Sequence, residues 1–163
     1  MVVGCSGAGK STLAAAVAER AQLPFVPTDP FYWQKGWQPA PQEAVLERLH
    51  AVLSQPVWVM DGNFEDQREI VWAEADALVW LDYSLPVILR RGLKRNIRLY
   101  LSGEPTWSGN RMTLPQVFSG VRHALRSFPN KRKAYPSYLH EFPQLKVLHF
   151  RQPAEAERWL AAL

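Results

Sequence analysis

The chain has 163 residues, 47% of them hydrophobic, with a formal net charge of +4; this suits one domain (1–163) with a substantial core and excludes a disordered chain. No run approaches the ~20 apolar residues of a membrane span, and no basic stretch leads into a long apolar run as in a secretory leader. The single cysteine, Cys5, excludes an internal disulfide and points to a reducing cytoplasm, while His50, His123, His140 and His149 are scattered without the spacing of a zinc site.

In chain order, the opening "MVV" reads as the end of a strand. It is shorter than the about 5 residues usual for a strand, so either this strand is short or its start lies outside the chain. The glycine-rich stretch that follows leads into a helix over Lys10 to Gln22, stopped by Pro24. "PFVPT" is a short strand candidate, followed by the aromatic, proline-rich "DPFYWQKGWQPAP". Gln42 to Leu53 reads as a helix with Val45, Leu46, Leu49 and Val52 on one side.

"PVWVMDGN" and "DALVWLDYS" are continuous apolar runs ending in aspartate, as expected of parallel strands buried on both faces. Ser84 and Pro86 open a helix to about Leu101, with Leu89, Leu93, Ile97 and Tyr100 on one face and Arg91, Lys94, Arg95 and Arg98 on the other. "LSGEPTWSGNRMTLPQ" reads as a loop, and Val117 to Pro143 as helical despite Pro129 and Pro136. "KVLHF" and "AEAERWLAAL" form a closing strand and helix. Strands alternating with helices predict a parallel α/β sheet.

Gly4-Cys5-Ser6-Gly7-Ala8-Gly9-Lys10-Ser11-Thr12 matches the Gly-x-x-x-x-Gly-Lys-Ser/Thr pattern of a phosphate-binding (Walker A) loop. Glycines permit the tight turn that aims successive N–H groups at phosphate oxygens, and the helix starting at Lys10 adds its N-terminal dipole. In this setting Lys10 bridges the β- and γ-phosphates of ATP and the Ser11 hydroxyl meets Mg²⁺. Gly4, Ser6, Gly7, Ala8, Gly9, Lys10, Ser11 and Thr12 are therefore the candidate nucleotide site. The nearest sequence to the base-reading Asn-Lys-x-Asp of GTPases is Asn130-Lys131-Arg132-Lys133, which lacks the aspartate.

Charge is distributed unevenly. Pro86 to Lys133 holds eleven Lys/Arg and one acid, Glu104, for +10, against eight basic and fourteen acidic residues, or −6, elsewhere. Such a segment suits a polyanion, whether nucleotide phosphates or nucleic acid.

Together "GCSGAGKST", "TDPFYWQKGWQP", "WVMDGNF", "LVWLDYS" and "SGNRM" resemble the small P-loop kinases of the adenylate kinase and shikimate kinase class. More narrowly they resemble the adenylate-kinase-related bacterial "DNA topology modulation" proteins. The resemblance implies a P-loop NTPase fold, three-layered αβα with a five-stranded parallel sheet and a basic helical lid, and phosphoryl transfer from ATP. It implies an acceptor subdomain at approximately 30–55 and a lid at approximately 86–140.

It further implies that Asp61 holds Mg²⁺ through water. Arg91 and Arg95 would be the two lid-helix arginines, one against the adenine and one on the phosphates, Arg111 would serve as an arginine finger or stand as a solvated loop arginine, and Arg151 to Ala154, with Pro153, would lie beside the adenine. Asp29 matches a strand-ending aspartate that shikimate and sugar kinases use on the acceptor hydroxyl; helix capping or a turn before Pro30 is its other reading. Tyr32 and Glu65 stand where adenylate kinases place phosphate-clamping arginines, leaving Arg68 and Arg48 as substitutes. Phe31, Tyr32, Trp33 and Trp37 either stack on the acceptor or pack a subdomain. The leading reading is an ATP-dependent kinase of a small-molecule acceptor with Asp29, Trp33, Asp61 and Arg68 on the acceptor side. The alternative is a nucleotide-dependent nucleic-acid-binding protein.

Overall fold

The computed structural model describes all residues, 1–163. Strands β1 (Val2–Gly4), β2 (Phe25–Val26), β3 (Val59–Met60), β4 (Ala77–Leu81) and β5 (Lys146–Phe150) alternate with helices α1 (Lys10–Ala21), α2 (Asp29–Tyr32), α3 (Gln42–Leu53), α4 (Arg68–Ala73), α5 (Leu85–Ser102), α6 (Leu114–Glu141) and α7 (Pro153–Ala161). No helix is long and apolar enough to cross a membrane.

All strand pairings are parallel, but the expected continuous five-stranded sheet is not formed. β1, β4 and β5 make a three-stranded sheet in the order β1-β4-β5, while β2 and β3 pair separately. One bridge, Val2 to Asp61, and the Gly62 N–H donating to the Val2 carbonyl at 3.0 Å join the two. The ladder stops there for a local reason. Asp61 turns its carbonyl to the Thr28 hydroxyl and its carboxylate to the Thr28 N–H at 3.1 Å, so it serves the end of β2 rather than extending β3.

The period-2 alternation of strands puts successive side chains on opposite faces, and both faces are buried. Val3, Met60, Leu78 and Trp80 pack with Val45 and Leu49 of α3 and Val71 and Trp72 of α4. Val2, Val59, Val79 and Leu81 pack with Leu13, Ala14 and Ala18 of α1, Ile88 of α5 and Ala156 of α7. Cys5 belongs to this second layer, its Sγ 3.5 Å from Ser127 Oγ.

The predicted apolar face of α5 is covered only in part. Leu89 packs against the core, but Leu93, Ile97 and Tyr100 are 38–41% exposed, and the helix buries Ile88 and Asn96 most fully. It packs antiparallel on α6, closest where a Cβ on Gly120 would lie 2.7 Å from Asn96 Nδ2. α6 runs unbroken through Pro129 and Pro136. The carbonyls these prolines free, at Leu125 and Arg132, belong to exposed residues. The short helices α2 and α4 are not apparent from periodicity; α4 nonetheless carries Trp72, fully buried and edge-on to Tyr135, Tyr138 and Phe142.

Candidate functional site

The loop between β1 and α1 opens into a cleft of about 1310 Å³. Gly9, at φ 94°, precedes α1 without any side-chain cap, so the first N–H groups of the helix stay free for an anion. Gly7, at φ 89°, passes so close to α5 that a Cβ would lie 2.6 Å from the Ile88 carbonyl oxygen. The predicted residues Ser6 to Thr12 all line the cleft. Gly4 sits behind it, its N–H donating to Asn63 Oδ1 at 3.0 Å. Lys10 folds over the loop, Nζ donating to the Cys5 carbonyl at 3.4 Å, and burial pulls its pKa below the ordinary lysine value, with Asp29 and Asp61 opposing.

Ser11 Oγ donates to Asp61 Oδ2 at the floor of the cleft, with Asp61 itself held by Thr28. A hydroxyl and a carboxylate are hard oxygen donors of the kind Mg²⁺ accepts, and Mg²⁺ ordinarily completes its shell with phosphate and water. No cluster of three His, Cys, Asp or Glu residues offers a protein-only metal cage. Ser11 and Asp61 thus fit a cation shared with a phosphate ligand.

Asp29 opens α2 beside them. The capping alternative is not taken: α2 has Thr28 as its N-cap, with no side-chain capping bond. Burial raises the Asp29 carboxyl above its usual value, Asp61 adds to the rise, and Lys10 and Arg95 oppose it. Arg95 reaches across from α5; enclosure in the cleft lowers its pKa, with Asp29 opposing. Its Nε donates to Asn96 Oδ1 at 3.1 Å, which fixes the guanidinium. A half-buried carboxylate that shares one cleft with Lys10 and Arg95 can orient a hydroxyl and take its proton while the cations neutralise developing charge.

The cleft has two further ends. At one, Arg91 sits 5.6 Å from the Tyr83 ring and 3.7 Å from Glu157, with Pro153, Ala156 and Leu160 of α7 alongside, a slot apolar on one side and cationic on the other. At the other, Tyr32, Trp33, Trp37, Trp107 and Met112 line the wall. Gln116 also lines this cleft, and its Oε1 is buried without a hydrogen-bond partner.

Besides Gly4 and Asp61, which sit behind the lining, three predicted residues do not line the cleft. Arg68 lies 3.6 Å over the Tyr138 ring and 3.7 Å from Glu141, turned into the base of α6. Arg111 is exposed, and what it offers inward is its carbonyl, which accepts Trp37 Nε1–H at 3.1 Å. Arg151 is exposed as well; its backbone N–H donates to Glu155, and from that loop Pro153 reaches the cleft. Arg48 likewise spends its guanidinium on the Pro30 and Phe31 carbonyls.

Other residues enter unannounced. Lys131, from the run lacking the GTPase aspartate, lines the cleft, 2.8 Å from Glu65, and its charge depresses the pKa of Lys10. Asn63 accepts from both Gly4 N–H and Tyr135 OH, at 3.0 and 2.8 Å, and so braces the loop. His123 lines the cleft, with burial and then Lys131 holding its pKa below the ordinary value. Asn63 lies in the "WVMDGNF" stretch without a role assigned to it there, and Lys131 and His123 reach the cleft from α6, which no motif flags. Of the eleven basic residues in the +10 segment, seven line the cleft, leaving Arg90, Arg111, Arg132 and Lys133 outside.

No protein-family model matches the chain, and neither does any curated protein. Among solved structures, the chain is similar over 99% of its length to a gluconokinase from Sinorhizobium meliloti, with 21% identity, TM-score 0.53 and 88% of that chain covered. It is similar over the same share to shikimate kinase from Bacteroides thetaiotaomicron, with 20% identity, TM-score 0.54 and 93% covered. A shikimate kinase from Acinetobacter baumannii in complex with shikimate gives 18% identity, TM-score 0.56 and 87% covered. The chain therefore has the α/β fold seen in these P-loop kinases.

Proposed function

We propose that the chain is an ATP-dependent phosphotransferase that moves the γ-phosphate of Mg-ATP to a hydroxyl of a small acceptor. The observation that carries this reading is that Asp29, Lys10 and Arg95 line one cleft, the one that the phosphate loop opens. In the proposed mechanism, the loop N–H groups and Lys10 hold the phosphates, and Ser11 and Asp61 hold Mg²⁺, which supplies charge neutralisation across them. Asp29 orients the acceptor hydroxyl and accepts its proton as the oxygen bonds to the γ-phosphorus and the bond to the β-phosphate oxygen breaks. Arg95 neutralises the charge on the transferred group, and Arg91 with Pro153 holds the base.

On this reading residues 30–55 serve the acceptor and 86–140 act as a lid. A hydroxyl acceptor is favoured over a monophosphate. Glu65 is tied to Lys131, and the substitutes Arg48 and Arg68 are committed elsewhere. Gluconokinase and shikimate kinase, named for hydroxylated acids, supply the acceptor type to try first. The unpartnered Gln116 Oε1 is suited to a second hydroxyl. The narrower likeness to "DNA topology modulation" proteins rests on sequence motifs alone. With seven of the eleven cations of the basic segment lining this cleft, charge favours the kinase reading over nucleic-acid binding.

The test is ADP release from Mg-ATP with panels of hydroxy acids, sugars, nucleosides and nucleoside monophosphates. An acceptor that stimulates release in the wild type, but not in Asp29→Asn, supports the reading. A full panel without stimulation refutes it.

A further inference from the structure

Asn110 is 5% exposed, although it lies in the irregular stretch between α5 and α6. Its side chain is spent entirely on a distant loop. Oδ1 accepts the Gly36 N–H at 2.6 Å and the Trp37 N–H at 3.2 Å, and Nδ2 donates to the Gln34 carbonyl at 2.9 Å. Its own carbonyl accepts the Thr106 N–H at 2.6 Å and the Thr106 hydroxyl at 2.9 Å, which closes the segment that carries it into a ring.

Two more bonds cross the same gap: Ser108 Oγ to the Trp33 carbonyl at 2.5 Å, and Trp37 Nε1 to the Arg111 carbonyl at 3.1 Å. Trp37 packs edge-on against Trp33 and Trp107, with centroids 5.8 and 6.0 Å away. Trp37 sits at φ 60°, a conformation a bulky residue keeps only where its surroundings enforce it, and Asn110 grips its N–H. The faces this clasp holds in place, Trp33, Trp37, Trp107 and Met112, line the cleft that contains Asp29.

We propose that Asn110 is a positioning residue. It fastens residues 106–111 to residues 33–38 and so builds the wall that holds the acceptor against Asp29 and keeps bulk water from the γ-phosphate. This inference rests on the kinase reading, because the wall matters only if a phosphoryl group is transferred beneath it. Asn110 touches neither the phosphate loop nor the Arg91 slot, so its loss leaves ATP binding intact. It admits water as a competing acceptor.

The test compares wild type, Asn110→Ala and Asn110→Asp, the last retaining the acceptor for the Gly36 and Trp37 amides but losing the donor to Gln34. Ser108→Ala, which removes one crossing bond, serves as a milder variant should Asn110→Ala fold poorly. Two readouts are taken: the rate of tryptic cleavage after Lys35 and Arg111, and Mg-ATP hydrolysis without added acceptor, with the KM for ATP. Loss of three hydrogen bonds should open the clasp about 10–100-fold more often and speed cleavage at both sites accordingly. Hydrolysis in Asn110→Ala should rise several-fold in kcat with an unchanged KM, roughly 3–10-fold on the same grounds, and Asn110→Asp should fall between.

Unchanged cleavage and hydrolysis in Asn110→Ala would overturn the proposal. Faster cleavage with unchanged or lower hydrolysis would also overturn it, since the contact would then be structural only. Wild type that neither hydrolyses ATP nor phosphorylates any acceptor overturns the kinase reading and the positioning role with it. The tryptic rates still decide in that case whether the clasp exists.

Discussion

At the scale of single residues, the proposed reading rests its chemistry on Asp29 and Lys10. Burial raises the folded-state pKa of Asp29, so the folded protein binds that proton more tightly than the unfolded chain does. The associated stability is present at low pH and is lost as pH rises through the folded value. Asp29→Asn should therefore melt above the wild type at neutral pH, with the gain vanishing below the ordinary carboxylate range; calorimetry across pH checks the sign. The same substitution should lower turnover by about 10²–10⁴-fold, the usual worth of a positioned base, as a coupled ADP assay measures. Lys10→Ala should lose at least ~10²-fold in turnover, the scale of a charge-stabilising donor, and weaken ATP binding in a direct titration. Tyr32, pushed up to about 12 chiefly by burial and hydrogen-bonded to Gln67 at 3.1 Å, stays neutral and is not a competing base.

Among the elements, the pairing of α5 with α6 decides what the cleft presents. The small Gly120 lets Asn96 approach, and Asn96 in turn fixes Arg95. Gly120→Val should cost about 1–3 kcal/mol by overpacking, read by urea unfolding, and should reduce turnover by tilting Arg95. Farther along α6, Arg132 forms an ion pair with buried Asp82, just past β4, Nε lying 3.2 Å from Oδ1; Asp82 also pairs with His149 of β5 at 3.1 Å, whose ring stacks on Trp80. Asp82→Ala should destabilise by about 1–2 kcal/mol, modest because Arg132 is 49% exposed. A urea curve with unchanged m-value checks it.

Much of this level is legible from local pattern. Gln42–Leu53 follows its apolar period, and the apolar runs ending in Asp61 and Asp82 become β3 and β4 with their aspartates. What pattern misses is tertiary. α5 is amphipathic, yet a ligand cleft claims its cationic face while its apolar stripe stays half exposed. Arg68 is captured by Tyr138 and Glu141, residues some 70 positions away that no spacing connects to it.

For the whole molecule, the division into a +10 segment and a −6 remainder takes on spatial meaning, since most of the segment's cations face one cleft. Such a cleft attracts anions through solvent, and salt screens that pull. The KM for ATP should rise with ionic strength while kcat changes little. The phosphate loop is the part of the site most legible in the sequence, because its function is backbone geometry that glycine spacing dictates. The wall proposed for the acceptor is the least legible, because it is assembled from loops near Trp33 and Asn110 that meet only in the folded chain.

The most direct test of the whole reading uses ATP labelled in its γ-phosphate, Mg²⁺ and the hydroxy-acid panel, following where the label goes. The account predicts label in a small organic product formed by the wild type and absent with Lys10→Ala and Asp29→Asn. Label found only in inorganic phosphate, whichever acceptor is supplied, would contradict it.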